Sequence, residues 1–399
     1  MINKNLLNKE VQNYIDYITH IPKWDIYTIR MRKSPFKFVS PLEIVQQMQG
    51  KKIAQTKFPF ISENTQIIYP PHVNLEQASS QATAQFKQKI MSGEKGVDLT
   101  GGMGIDSFFI SESSKEFFYV EPDLELLEIV THNFSVLNKK NITFINKTAE
   151  EFLAENSTHF DFIYLDPSRR DKNNNKVILL KDLKPDVTLI QEKLLQASSS
   201  VFIKLSPLLD LQQVIDNLSV STIFIVSVKN EAKELIVKLN PDQKPDQKNT
   251  QENLPIRCFN LETNQPEFSF YWSEEKQAKN PDYSLPESYL HIPNASILKS
   301  GAFKLISHRY NLKKLHPNTH IYTSHEIVPN FPGKVFFILD PHFIPAKSEQ
   351  DKFNIISKNH PLKTAAIRKR YGLDEGGEDY LIFTRSMDKN LCILAELIE

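Results

Sequence analysis

The 399-residue sequence predicts an α/β protein: an open sheet of alternating strands and helices, preceded by helices and followed by small α+β modules. Three observations carry this. Between about residues 95 and 230, apolar runs of strand length alternate with amphipathic helical stretches. The first of those runs, KGVDL, ends in a glycine cluster, Gly101, Gly102 and Gly104, ahead of a helix-like segment. Strand, glycine turn and helix form a ligand site at the carboxyl ends of the strands in open α/β sheets. From about residue 284 the pattern shifts to short strands and helices with an antiparallel character.

Composition narrows the class. Hydrophobic content of 40% and charged content of 24% fit a soluble globular protein. No run approaches the roughly 20 apolar residues of a membrane helix, so no membrane partner is expected. The start, MINKNLLNKEVQNYIDYI, is polar and amphipathic with no signal-peptide core, so a cytoplasmic location is the expectation. Cys258 and Cys392 stand far apart without neighbouring ligands, so neither a disulfide framework nor a metal is expected. The net charge is +0, so any nucleic-acid contact must come from local basic patches.

Residues 1–70 read as a separate helical region. Leu6, Leu7, Val11, Ile15 and Ile18 recur at helical spacing, and Ser40 caps a second helix with Pro41 in its first turn. No catalytic pattern occurs there, and a helical cap over the next domain is the expectation. Residues 75–91 predict one helix with a polar side of Ser79, Ser80 and Thr83. Gln77 or Ser80 would reach a ligand from it; the alternative is a tightly packed helix using small residues.

In the core, Glu116–Val120 predicts a second strand ending at Glu121. A carboxylate there, about 20 residues past the glycine turn, can accept hydrogen bonds from both ribose hydroxyls of a nucleotide. A helix over 124–137 and a strand over 141–146 follow. Thr148, Ala149 and Glu150 stand at the start of the next helix. The fourth strand runs into DPSRRD, Asp166 to Asp171, which strand order places beside the glycine turn. Arg169 and Arg170 pair with carboxylates or clamp an anion, a task that suits the guanidinium fork. A loop over 172–182 is placed as a lid. Strand five ends at Lys204-Leu205, and Lys204 faces the cleft or solvent. Strand six, 222–228, pairs with 234–239 across the turn 229–232. The tandem PDQKPDQK in 241–253 is a polar tether. IRCFNL and EFSFYW complete the sheet or its edge.

Farther on, a helix over 305–310, a strand over 318–324, strands VFFIL, YLIFT and CILAEL, a helix ending IRKRY and a Gly376-Gly377 turn make the last modules. Arg368 and Arg370 in IRKRY are either a solvated helix face or a phosphate contact with Tyr371 as a stacking partner.

The glycine turn lacks the third glycine of a dinucleotide fingerprint and the Lys-Ser/Thr of a phosphate loop. Asp98, four residues before Gly102, with Gly104, instead resembles the D-x-x-x-G-x-G signature of class I S-adenosylmethionine (SAM) methyltransferases. Thr100 stands where many members have another glycine. The ordered set LEQASSQATA, DLTGGMGID, YVEPD, HNF, DPSRRD, KLSP, NEAKEL and KSGAFK is similar to a bacterial family of such enzymes with THUMP-like C-terminal domains. The resemblance runs from Leu75 onward. It implies a Rossmann-like methyltransferase domain over 71–280, a ferredoxin-like segment over 284–326 and a THUMP-like domain over 327–399. It further implies SAM as cofactor, held by Asp98, Thr100, Gly101, Gly102, Gly104, Glu121, Thr148 and Ala149. Asp166, Pro167 and Arg169 take the catalytic positions, where related enzymes carry D/N-P-P-Y; here Ser168 and Arg169 replace the second proline and the tyrosine. Gln77, Ser80, Arg170, Lys204, Arg368 and Arg370 are the candidate substrate contacts.

The leading expectation is methylation of a tRNA or rRNA base nitrogen. No cysteine lies near DPSRRD, which argues against a cysteine adduct on a ring carbon. One alternative is a small-molecule methyltransferase whose arginines in DPSRRD hold an anionic substrate. The other is a non-catalytic RNA-binding protein.

Overall fold

A computed structural model describes residues 2–21, 26–168, 179–240, 253–345 and 352–398. Packing divides the chain into two units. The first is Met1–Ser221 with Ile236–Asp246, and the second is Thr222–Leu235 with Gln247–Glu399.

In the first unit five parallel strands run in the order β3-β2-β1-β4-β5. They are β1 (Lys95–Asp98), β2 (Glu116–Val120), β3 (Ile142–Ile145), β4 (Phe162–Leu165) and β5 (Val201–Leu205). Every residue of β4 and β5 is buried, as expected of central strands covered on both faces. The order reverses between β1 and β4, so the crevice beyond their carboxyl ends is the ligand position of this topology.

The N-terminal region is helical, as expected. Ser40 and Glu43 form a capping box on helix Pro41–Lys57, with Pro41 at its start. Leu6, Val11, Ile15, Ile18 and Met48 share a core with Ile129, which lies on helix Leu124–Val136. Asn133 of that helix accepts from the Ile68 amide and donates to the Ile68 carbonyl, both at 2.9 Å. The cap is therefore fastened to the sheet layer by apolar burial and a two-way hydrogen bond.

The single helix expected over 75–91 is two helices, His72–Gln77 and Gln81–Ile90. Ser80 breaks it by capping the second helix through the Thr83 amide. A serine offers the backbone this alternative to a continuous helix.

β6 (Val220–Val228) and β7 (Glu231–Leu239) form a hairpin whose ends fall in both units. Its turn is two residues, Lys229 and Asn230, both at positive φ, so β7 starts three residues earlier than its apolar run suggests. In the second unit β6 pairs in parallel with β8 (Pro255–Leu261), which pairs antiparallel with β9 (Phe268–Tyr271). The PDQK repeat lies outside the described residues up to residue 252.

The second unit also holds a seven-stranded sheet in the order β11-β12-β10-β13-β16-β15-β14. Its strands are β10 (Tyr289–Pro293), β11 (Lys313–His316), β12 (Thr319–Ser324), β13 (Gly333–Asp340), β14 (Lys352–Lys358), β15 (Asp374–Ser386) and β16 (Lys389–Leu397). β10, β11 and β14 are strands that the sequence reading does not include. Gly376 and Gly377 do not join two elements: they sit inside β15, at φ +123° and +80°, where its register with β14 jumps from Glu375 to Tyr380. This is a bulge that needs residues tolerant of positive φ.

Candidate active site

A cleft of about 1430 Å³ opens beyond the carboxyl ends of β1, β2 and β4 in the first unit. It gathers residues that the sequence scatters over 130 positions. Gln77, Asp98, Thr100, Gly101, Gly102, Gly104, Glu121, Thr148, Ala149, Asp166, Pro167 and Lys204 all line it.

The glycine turn is fixed by backbone bonds and close packing. Gly104 donates to the Gly101 carbonyl at 2.9 Å, and Gly101 donates to the Val120 carbonyl at 2.9 Å. A Cβ on Gly101 would fall 2.3 Å from the Tyr119 ring. Gly104 has φ +78°, and a Cβ there would meet Val130 at 2.8 Å. At Gly102, φ +56°, a Cβ would meet only the Thr100 carbonyl oxygen at 3.7 Å. Two glycines thus let protein pack on protein, and the third keeps the cleft floor bare.

Asp98 is buried and turned inward. Its carboxylate accepts from the Thr100 amide at 2.9 Å and from the Ser107 hydroxyl. Burial pushes its pKa up to about 7, against those two hydrogen bonds. Thr100, where a glycine is common, has a task of its own. Its hydroxyl donates to Asp98 and accepts the Asp166 amide at 2.6 Å, tying β1 to the end of β4.

Glu121 ends β2 and is 8% exposed. One carboxylate oxygen accepts the Gly102 amide at 2.8 Å, and the other accepts the Asp123 amide at 2.9 Å. Burial raises its pKa, with both amides opposing. Each oxygen keeps lone-pair capacity for a further donor. Thr148 forms a capping box with Glu151, so its hydroxyl serves the helix Ala149–Glu155.

The floor between β4 and β5 is a buried ionic network. Lys204, at the end of β5, bonds Asp166 Oδ2 and reaches Ser79 Oγ at 3.1 Å. Lys87, wholly buried, reaches Ser79 Oγ at 3.0 Å and Asp106 at 3.1 Å. Ser79 donates to Asp106 at 2.7 Å, and the Tyr164 hydroxyl donates to the same carboxylate at 2.6 Å. Desolvation raises the Asp166 carboxyl pKa, with Lys204 pulling it back. At Asp106 the desolvation is outweighed by Lys87 and Lys204, and its pKa is lowered.

Several expected positions resolve differently. Ser79, not Ser80, lines the cleft, because Ser80 is spent as a helix cap. Lys87, Asp106 and Tyr164 were not singled out from the sequence. The one available signal was Lys87, four residues past Thr83 on the polar side of its helix. Arg169, Arg170 and Asp171 lie outside the described residues, as do 172–178 of the loop placed as a lid. The returning chain pairs Lys184 with Ser168 through two backbone bonds, at 2.7 and 3.1 Å, and Lys181–Asp186 line the cleft. Arg368 and Arg370 belong to the second unit, on helix Thr364–Tyr371. Arg368 is ion-paired with Glu375 at 2.6 Å, and the Arg370 guanidinium lies 5.5 Å from the Tyr371 ring centroid.

Over 98% of its length the chain is similar to the crystal structure of a candidate methyltransferase from Porphyromonas gingivalis W83, at 27% identity and a TM-score of 0.82, covering 99% of that chain. The chain has a methyltransferase fold. Residues 289–332 match a ferredoxin-like domain family, and residues 345–397 match a THUMP domain-like family. The expected segments, 284–326 and 327–399, overlap these matches. The chain is also 32% identical over 101 residues, 25% of its length, to an uncharacterized RNA methyltransferase of Mycoplasma mobile. That alignment spans 28% of the relative. No helix among the described residues is long and apolar enough to cross a membrane, and no group of three or more metal-ligating side chains occurs among them.

Proposed function

We propose that this chain is a SAM-dependent methyltransferase acting on a base nitrogen of tRNA or rRNA. The observation that carries the reading is one cleft holding Glu121, braced across the glycine turn, opposite Asp166 and Pro167 at the end of β4. The residues fit the cofactor. The bare floor at Gly102 leaves room for it, Glu121 can still accept from ribose hydroxyls, and the start of helix Ala149–Glu155 faces the same cleft. Bound there, SAM supplies a methyl group already activated on a sulfonium.

The chain's own residues then orient and deprotonate. Lys204 holds Oδ2 of Asp166 and Thr100 holds its amide, so the carboxylate is aimed by two neighbouring strands. Oδ1 accepts a hydrogen bond from the target nitrogen and takes its proton. The role expected of Lys204, a substrate contact, becomes that of a positioning residue. The RNA assignment draws on the Mycoplasma relative and on the THUMP-like match. Ser168 and Arg169 replace the usual proline and tyrosine, so a target base would stack on something other than a tyrosine there. The test is transfer of labelled methyl from SAM to bulk bacterial RNA. Asp166→Ala should stop transfer while leaving S-adenosylhomocysteine binding in place. Transfer at the wild-type rate by that variant would remove Asp166 from the chemistry.

A further inference from the structure

A neutral protein that handles RNA needs a local positive surface. The expected one is IRKRY. Its neighbourhood cancels it: Thr364 to Asp379 hold three cations and four carboxylates, and Arg368 is already paired with Glu375. The N-terminal cap holds the opposite arrangement. Between Ile26 and Leu42 there are four cations, Arg30, Arg32, Lys33 and Lys37, and no carboxylate. All four are exposed. Lys23 and Asp25 precede this stretch and lie outside the described residues, so from Lys23 to Leu42 the sequence holds five cations and one carboxylate. On the other side Glu43 is occupied by Ser40 and Asn3, whose hydrogen bonds hold its pKa down against desolvation.

Three large apolar side chains stand among these cations. Tyr27 is 70% exposed, Met31 88% and Phe38 65%. Tyr27 and Met31 are four apart on helix Ile26–Met31, on the side away from buried Ile29. The segment is held in place. Phe36 packs edge-on against Tyr14 with ring centroids 5.5 Å apart, Val39 is buried, and the Phe38 carbonyl accepts from Asn3 at 2.7 Å. Between these anchors Lys37 and Phe38 point outward as a pair, ammonium 5.3 Å from the ring centroid. Rings this exposed bury little apolar area against the fold. Cations for phosphates beside flat faces for bases are what a single strand requires.

We propose that this face, Tyr27 to Phe38, binds a single-stranded segment of the substrate RNA. The proposal rests on the RNA reading above. It adds that the cap, rather than only the C-terminal modules, grips the nucleic acid. A six-residue helix is short for an anionic membrane surface, which is the competing occupant.

The test measures fluorescence anisotropy of a labelled single-stranded RNA of about 16 nucleotides against the full-length protein across a salt series. S-adenosylhomocysteine binding is followed in parallel. The triple variant Arg30→Glu, Lys33→Glu, Lys37→Glu should bind RNA at least tenfold more weakly. Its salt slope should flatten by about 2, at about 0.7 for each lost phosphate contact on a single strand. Phe38→Ala should weaken binding about tenfold with the slope unchanged. Both variants should bind S-adenosylhomocysteine as the wild type does, since none of these residues lines the cleft. Variants that bind RNA like the wild type overturn the proposal. So does wild type that binds phosphatidylglycerol vesicles through this face but not RNA. If the wild type binds S-adenosylhomocysteine and not RNA, the surface assignment falls while the cofactor site stands. If it binds neither, the underlying methyltransferase reading falls as well.

Discussion

The two halves of the cleft are built on different physics. The half under Gly101–Gly104 is made of backbone: amides on Glu121, carbonyls on amides, and glycines where a Cβ would strike Tyr119 or Val130. The half under Asp166 is made of side-chain charge, with two lysines and Asp106 meeting at Ser79 and Asp166 joined to them through Lys204. Backbone geometry cannot be adjusted by degrees, whereas a charge pair can be retuned. The first half should therefore fail abruptly under substitution and the second gradually.

The largest effect should come from Gly101→Ala. The added methyl has nowhere to go but into the Tyr119 ring, a cost of about 3 kcal/mol. Thermal unfolding should show a large drop in Tm together with loss of S-adenosylhomocysteine binding; a wild-type Tm would break the contrast. Next, Glu121→Ala strips two amides of their acceptor and the ribose of its partner. Ligand affinity should fall about 10- to 100-fold, as for charge-assisted hydrogen bonds. A ligand-dependent thermal shift checks this.

In the charged half, Lys204→Met should spare ligand affinity and lower the methyl-transfer rate, with Asp166 titrating higher than in the wild type. Lys204→Arg should recover much of the rate. The pH profile of transfer reads this directly: without the ammonium, the acid limb moves to higher pH. An unmoved limb would mean that Lys204 only packs.

An effect on stability alone, read through its pH dependence, sharpens the boundary between the halves. The Asp98 carboxyl, pushed up to about 7 by burial, keeps its proton in the folded chain between about pH 4 and 7, where the unfolded chain has lost it. Folded chain binding more protons means that stability falls as pH rises through that window and is level above it. Asp98→Asn, which mimics the protonated form, should erase that slope and gain on the wild type above pH 7. Denaturant midpoints at several pH values measure it; parallel profiles would contradict the burial argument.

The backbone half was legible in the sequence because its signals are local. Asp98, the three glycines and Glu121 follow one another within a strand, a turn, a short helix and the next strand. Asp166 and Pro167 were legible for the same reason. The ionic network was not, because Ser79, Lys87, Asp106, Tyr164 and Lys204 come from separate elements and meet only once the sheet is wound. Ser79 was passed over for Ser80 because helical spacing said nothing of a cap. β10, β11 and β14 escape the reading because these short strands carry mixed polar and apolar residues. The glycine pair inside β15 reads as a turn in the sequence, because positive φ serves bulges and turns alike.

The central claim, that this cleft is a SAM site, is met most directly by calorimetric titration of the purified protein with S-adenosylhomocysteine. The account predicts saturable binding at one site per chain with micromolar affinity. A folded protein that releases no heat and shows no saturation would contradict it.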